Sequence, residues 1–114
     1  MALWGRDPEK NERARQHLSA YGRRVVTLRC DVCDEKSVDA ATVATVDSFG
    51  RIDTMVANAG ILTTTPFLEM SLDEWRAVMA VNLDGVFLTL RAAVRHMVER
   101  AGWRLGGGVI ARGL

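Results

Sequence analysis

The stretch that decides the fold lies between residues 24 and 60; it begins with RVVTLRCD at 24–31 and ends with IDTMVANAG at 52–60. Each end is a short run of β-branched and other apolar residues that stops at a polar residue, as buried strands do. Between them, residues 34–49 carry apolar side chains at helical spacing and are followed by Gly50. A strand, a helix and a further strand in this order predict a parallel sheet covered by helices.

The same alternation continues toward the N-terminus. Ala2-Leu3-Trp4 is interpreted as the end of a strand that begins before this chain, and a helix is predicted to start at Pro8. The Asp7 carboxylate can cap that helix, and Gly22 is a natural C-terminal stop. The first 60 residues therefore predict the order β, α, β, α, β.

Toward the C-terminus, a loop at Ile61–Met70 is followed by a predicted helix that runs to about Arg100. Ser71 and Glu74 form a capping box, in which each side chain can bond the other's backbone amide. The residues predicted to face the core are Trp75, Val78, Met79, Asn82, Val86, Ala93 and Met97. A further apolar group widens this face and can serve a partner: Leu83, Phe87, Leu90 and Val94. Gly106–Ile110 is interpreted as a turn that enters another strand.

Composition limits the classes of function. The chain has 114 residues, 48% apolar and 25% charged, which is typical of a folded domain. Its net charge of +1 provides no basic surface for nucleic acid or an anionic membrane. No continuous apolar run approaches the ~20 residues of a membrane span, and no leader is recognisable, so a cytoplasmic protein is expected. The two cysteines are too few for a disulfide framework.

Four motifs in order resemble the short-chain dehydrogenase/reductase family. They are Trp4-Gly5-Arg6-Asp7, Cys30-Asp31-Val32, Asn58-Ala59-Gly60 and Val81-Asn82-Leu83-Asp84-Gly85-Val86-Phe87. The resemblance extends from Leu3 to about Val98. It implies an α/β fold, a partial Rossmann-type doubly wound parallel sheet that holds family strands 2 to 4 and possibly 5. Residues 1–114 would then be part of one NAD(P)-binding domain.

The resemblance also implies cofactor contacts. Asp31 would receive the adenine amino group, Val32 would lie against the ring, and Asn58-Ala59-Gly60 would lie beside the adenine ribose. Ligands of open α/β sheets bind at the carboxyl ends of the strands, where all three motifs are predicted to lie. A carboxylate in the place of Asp31 is also a common turn former, and the 58–60 segment can be an ordinary turn.

Arg6 bears on the choice between NADP and NAD. An acidic residue at this strand end would accept the ribose 2′-hydroxyl of NAD, but Gly5 stands there and Arg6 follows. A guanidinium can pair with a 2′-phosphate, so NADP is favoured over NAD. Two alternatives stay open: Arg6 is a solvated surface residue, or Asp7 acts as the acid.

Asn82 is the candidate residue for the mechanism. A polar amide on an apolar helix face needs hydrogen-bond partners, and asparagine is a mediocre helix former. The resemblance implies that Asn82 breaks the helix locally and that its backbone carbonyl holds a water on the proton relay to the catalytic lysine. The alternative is a structural asparagine with its bonds satisfied.

Other family motifs are not matched in these 114 residues. The Gly-rich turn after the first family strand and the catalytic Ser and Tyr-x-x-x-Lys have no counterpart: Tyr21 is the only tyrosine, followed four residues later by Val25. We therefore expect a piece of an NAD(P)-dependent oxidoreductase that transfers hydride between a nicotinamide and a carbonyl/alcohol substrate, inactive as this chain alone. Whether the chain is itself an enzyme stays open, and the substrate is not specified. The family's first strand lies between its second and fourth, so a gap in the sheet and a marginal fold are also expected.

Two rival functions remain at this stage. In the first, the chain is a non-catalytic remnant that docks onto a full-length relative through its long helix, whose family counterpart commonly forms a homo-oligomer interface. In the second, Cys30-Asp31-Val32-Cys33 acts as a redox Cys-x-x-Cys motif. The neighbouring Asp31 carboxylate disfavours the thiolate that redox chemistry needs. No metal site is predicted, because His17 and His96 stand alone in helices.

Overall fold

The computed structural model describes residues 1–101, and within them a two-stranded parallel sheet is flanked by helices. The elements in chain order are β1 (Ala2–Gly5), α1 (Pro8–Ser19), β2 (Val26–Arg29), α2 (Glu35–Phe49), α3 (Leu72–Met79), a π-turn (Ala80–Asp84) and α4 (Gly85–Arg100). The predicted strand at Val109-Ile110 lies outside the described residues.

The predicted helix signals are confirmed. The Asp7 carboxylate accepts the amides of Glu9 and Lys10 at 2.9 and 3.1 Å and so caps α1. Asp34 caps α2 in the same way. Gly50 ends α2 with a φ of 77°, a left-handed conformation that favours glycine.

The sheet fixes the direction of the chain at one edge. β1 and β2 pair in parallel, with Ala2 opposite Val26 and Gly5 opposite Arg29. The core lies under these strands, where Cys30, Val38, Ala41 and Ala92 are buried together. Trp4 packs against this cluster, and its indole Nε1 donates to Thr45 Oγ1 at 3.0 Å. Strands, α2 and α4 therefore share one core, and the carboxyl ends of both strands point to the same edge.

The predicted strand at Ile52–Ala57 is wrong as secondary structure, because residues 51–64 form no regular element. Ile52 is buried at 5% exposure, so the segment does enter the core, but Val56 is 73% exposed. A strand needs a hydrogen-bonded neighbour, and β1 pairs only with β2 in the described part of the chain. A cavity of about 720 Å³ separates β1 from residues 51–59, at the place where a gap in the sheet was predicted.

The predicted long helix is confirmed, but its predicted inner face is partly wrong. Trp75 and Asn82 are exposed, whereas Ala93 is buried as expected. The residues buried along this helix are Val81, Gly85, Thr89, Ala92 and Ala93. A π-turn adds one residue to a helical turn. The apolar residues before residue 80 are therefore out of phase with those after residue 85. The inner face of α4 is also made of small residues, which lets the helix approach α2 closely.

The stretch from Leu72 to Arg100 is long and apolar enough to cross a membrane by length and composition, with a mean hydropathy of 1.5 in its most apolar window. The sequence predicted no membrane span, because it contains no uninterrupted apolar run of that length. Core helices of α/β proteins pass the same test. Here Ala92 and Ala93 are buried, and the Arg91 guanidinium pairs with Glu35 on α2. These contacts join the stretch to the core, and 28% of its most apolar window is buried.

Gly85 has a close steric partner that gives a test of this packing. A Cβ on Gly85 would lie 2.8 Å from Val32 Cγ2. In the native chain we expect Gly85→Ala to lower the melting temperature, because overpacking costs about 1–3 kcal/mol and outweighs the helix-propensity gain of about 1 kcal/mol.

In a Val32→Ala background the closest contact is removed, but the Cβ of residue 32 remains 3.2 Å from the added Cβ. The same Gly85→Ala change should then lower the melting temperature much less than it does in the native chain. Thermal denaturation of the four chains measures both effects, and an equal effect in the two backgrounds would contradict the contact.

Candidate functional site

The carboxyl edge of the sheet holds two of the predicted cofactor residues. Arg6 directly follows β1, and Asp31 lies two residues after the end of β2. Arg6 is exposed, and no carboxylate within residues 1–101 forms a salt bridge with it. Asp31 is half-buried; its Oδ1 accepts the Cys33 amide at 3.0 Å, which leaves the carboxylate further acceptor capacity. This edge therefore offers one unpaired cation and one hydrogen-bond acceptor.

The Asp7 carboxylate caps α1. Its Oδ1 accepts the amides of Glu9 and Lys10, and the hydrogen bond from the Lys10 amide, the largest effect, holds the pKa of Asp7 below its ordinary value. The second carboxylate oxygen keeps acceptor capacity. Arg6 is the basic group that follows β1, and the choice between Arg6 and Asp7 as the ribose contact stays a prediction.

Asn11 on α1 joins the ends of both strands. Its Nδ2 donates to the Gly5 carbonyl at 2.9 Å and, more weakly, to the Leu28 carbonyl at 3.4 Å. Sequence reasoning missed this residue. The sequence did contain a signal: Asn11 lies on the same helix face as Ala14 and Leu18, where an apolar side chain is expected.

The cavity between β1 and residues 51–59 brings other predicted residues together. Val32, Asn58 and Ala59 line it, and Gly85 lies on its wall. Arg6, Asp31, Gly60 and Asn82 are not among its lining residues. The structure thus brings Val32, Asn58 and Ala59 to one cavity, and it leaves the other predicted site residues outside it.

Asn82 lies in the π-turn, so the predicted local break of the helix is confirmed. Its side chain binds one residue twice: Oδ1 accepts the Ile61 amide at 2.9 Å, and Nδ2 donates to the Ile61 carbonyl at 2.7 Å. The amide therefore pairs with the backbone as a neighbouring strand would. This contact holds the chain immediately after the Asn58-Ala59-Gly60 segment, and a Cβ on Gly60 would lie 3.6 Å from Asn82 Oδ1.

Glu74 anchors the other part of the same loop. Ser71 Oγ accepts the Glu74 amide at 3.1 Å, as predicted, but the reciprocal half of the capping box is wrong. The Glu74 carboxylate instead accepts the hydroxyls of Thr63 and Thr65. Both hydrogen bonds lower the pKa of Glu74, and the bond from Thr63 has the larger effect. The side chain was unavailable to Ser71 because the threonines of the loop fold back onto the helix.

The two cysteines differ in exposure, and the pKa of each thiol is raised. Both are free; Cys30 is buried and Cys33 is exposed. Desolvation of the Cys33 sulfur, followed by the Asp31 charge, raises the pKa of its thiol. Burial also raises the pKa of Cys30. A redox motif needs a lowered thiol pKa, so the raised pKa values disfavour that rival function. Within residues 1–101, no cluster of His, Cys, Asp and Glu is arranged to hold a metal.

Comparison with known proteins places these residues in context. A family model described as short chain dehydrogenase matches residues 1–110. The 2-(R)-hydroxypropyl-CoM dehydrogenase of Xanthobacter autotrophicus is 43% identical over 107 residues, which cover 87% of this chain and 39% of that protein.

Solved structures are also similar to the chain. A short-chain type dehydrogenase/reductase from Mycobacterium marinum has a TM-score of 0.85 at 32% identity, covering 93% of this chain and 42% of that one. A gluconate 5-dehydrogenase from Burkholderia cenocepacia, solved with NADP and tartrate, has a TM-score of 0.77 at 34% identity, covering 87% of this chain and 39% of that one. The chain thus spans about two fifths of the length of these relatives.

The Asn82–Ile61 contact predicts a graded response to substitution. Asn82→Ala removes both bonds to Ile61, whereas Asn82→Asp retains only the acceptor. Since a hydrogen bond contributes about 1 kcal/mol, exchange of the Ile61 amide with deuterium should accelerate roughly fivefold or more in Asn82→Ala. The effect should be smaller in Asn82→Asp. Asn58→Ala, which removes an exposed side-chain amide, is the control. Equal exchange of the Ile61 amide in all chains would contradict the contact between Asn82 and Ile61.

The lowered pKa of Glu74 predicts a pH-dependent contribution to stability. This contribution is present above the ordinary pKa of 4.5 and is lost as the pH falls through the lowered value of the folded chain. The difference in unfolding free energy between the native chain and Glu74→Gln should therefore shrink on acidification. Urea denaturation from about pH 6 to about pH 3 measures it. Glu69→Gln is the matched control for the loss of one charge, and a constant difference would rule out the linkage.

Proposed function

Because the chain belongs to the short-chain dehydrogenase family, we propose that it forms the adenosine side of an NADP-binding site. Residues 1–114 are part of one Rossmann-type nucleotide-binding domain. The protein to which this site belongs is an oxidoreductase that moves hydride between the nicotinamide and a small carbonyl/alcohol substrate. The observation that carries the proposal is the unpaired Arg6 guanidinium after β1, on the same sheet edge as the Asp31 carboxylate after β2.

The chemistry of these groups fits the adenosine half of the cofactor. Arg6 can pair with a 2′-phosphate, and Asp31 keeps an acceptor for the adenine amino group. Val32 offers an apolar surface for the ring at the wall of the cavity. The exposed Asn58-Ala59-Gly60 segment lets a ribose approach the backbone. The similar gluconate 5-dehydrogenase structure contains NADP, which supports this choice of cofactor over NAD.

Asn82 is assigned a role in proton transfer. When bound, the nicotinamide would supply or accept the hydride. We propose that the Asn82 backbone carbonyl holds a water of the proton relay. A π-turn replaces the usual i→i−4 bonds by i→i−5 bonds, which changes the partners of the carbonyls in this turn. The Asn82 side chain keeps the adjoining loop in place through Ile61.

The 114 residues alone are proposed to bind without turning over substrate. Their only tyrosine, Tyr21, is exposed after α1, at the edge of the sheet opposite Arg6. No proton donor for a substrate carbonyl is therefore assigned among them. A cytoplasmic location, as expected from the sequence, is part of this proposal.

A second candidate function rests on an apolar strip along α4 and the π-turn. Leu83, Phe87, Leu90 and Val94 are exposed by 57%, 58%, 41% and 54%. They recur at helical spacing, and exposed apolar patches of this kind often mark protein interfaces. In this alternative, the chain docks onto a further copy or a full-length relative and takes no part in chemistry.

Calorimetric titration with NADPH and NADH tests the proposed function, after circular dichroism has established that the chain folds. The native chain should bind NADPH more tightly than NADH. Arg6→Ala should weaken NADPH binding about tenfold to hundredfold, because a bond between charged groups contributes about 1.5–3 kcal/mol. Its effect on NADH should be small. Arg23→Ala, an exposed arginine on the other side of α1, is the matched control. A folded chain that binds neither nucleotide would favour the docking alternative.

A further inference from the structure

We infer that Asn11 determines the cofactor specificity of this site by positioning the strand ends and by keeping residue 5 free of a side chain. This inference rests on the proposed function, because it concerns the same adenosine site. Asn11 would not touch the reacting atoms. It would act through its neighbours, Gly5 and the residues that follow the two strands.

The Asn11 side-chain amide lies where the two strands end. The Gly5 carbonyl accepts two bonds, from Asn11 Nδ2 at 2.9 Å and from the Cys30 amide at 3.1 Å. The Asn11 side chain thus binds the end of β1 at the point where β1 meets the chain leaving β2. Arg6 follows this point on one strand and Asp31 on the other. The Asn11 side chain therefore adds to the backbone pairing that holds together the two strand ends, after which the cation and the acceptor of the proposed site follow.

Steric contact with Asn11 also restricts residue 5. A Cβ on Gly5 would lie 2.2 Å from Asn11 Oδ1 and 3.2 Å from Asn11 Cγ, and the three nearest atoms all belong to the Asn11 amide. The amide cannot turn aside without losing its bonds to the strand carbonyls. Its backbone is fixed as well, since the Asn11 amide donates to the Asp7 carbonyl at 3.0 Å in the first turn of α1. Residue 5 is therefore glycine for a local steric reason.

The contact between Asn11 and Gly5 also affects the charge at the end of β1. A carboxylate at the end of this strand would accept a ribose 2′-hydroxyl and repel a 2′-phosphate. With Asn11 in place, no acidic side chain fits at residue 5, and the Arg6 guanidinium is the charged group that follows β1. The Asn11–Gly5 contact thus selects the phosphorylated ribose. A change of preference requires substitution of both residues.

A double-mutant cycle tests the steric step without any nucleotide. Gly5→Ala should lower the melting temperature of the native chain and lower it much less in an Asn11→Ala background. Asn11→Asp keeps the volume but loses the donated bonds that hold the side chain in place, so Gly5→Ala should be less destabilising there than in the native chain. Gln16→Ala removes an exposed amide from the same helix and is the control. An equal effect of Gly5→Ala in the native, Asn11→Ala and control backgrounds would overturn the inference.

A binding experiment tests the specificity step. The probes are adenosine 2′,5′-bisphosphate and adenosine 5′-monophosphate, which report only on the adenosine half of the site. The native chain should prefer the bisphosphate about tenfold or more. Gly5→Asp alone should not reverse this preference, whereas Gly5→Asp combined with Asn11→Ala should. Reversal by Gly5→Asp with Asn11 intact would overturn the role of Asn11.

The two experiments separate the two proposals. A native chain that does not distinguish the probes contradicts the NADP proposal and, with it, the selection by Asn11. A native chain that prefers the bisphosphate, but shows no coupling between residues 5 and 11 in the stability cycle, leaves the NADP site standing and overturns the inference about Asn11. Coupling together with the expected reversal supports both.

Discussion

The parallel pairing of Ala2–Gly5 with Val26–Arg29 is the constraint on which the rest of the structure depends. In a parallel pair both strands end at the same edge, so whatever follows them in sequence is brought together without any further contact. Helix α1 connects β1 to β2 and must return the chain to the other edge of the sheet. Its first turn therefore starts at the edge where β1 ends. The residues with ligand-like chemistry gather there because of strand direction.

Local signals in the sequence were sufficient where the structure is decided locally. Asp7 and Gly50 mark helix ends through their own backbone or side-chain chemistry, and both act as predicted. The break at Asn82 was also predicted, although from family resemblance rather than from spacing. These features depend on a few neighbouring residues, which is why one sequence is enough to predict them.

Features that depend on distant partners were predicted less well. Residues 52–57 have the composition of a strand, but a strand exists only beside another one, and spacing carries no information about the neighbour. The inner face of the long helix was misplaced because the π-turn shifts the periodicity. Glu74 was assigned to Ser71, its neighbour in sequence, while Thr63 and Thr65 compete for the same carboxylate. In each case the deciding contact joins segments that are distant in sequence, and the local spacing of residues does not relate such segments to each other.

The cavity between β1 and residues 51–59 also affects how the chain loses its structure. An open cleft of this size leaves apolar surface in contact with water that a continuous sheet would bury. Both the heat-capacity change of unfolding and the dependence of stability on denaturant scale with the surface newly exposed. The stability of this fold should therefore depend less steeply on denaturant than that of a closed α/β domain of equal length, and a group that fills the cleft should make this dependence steeper.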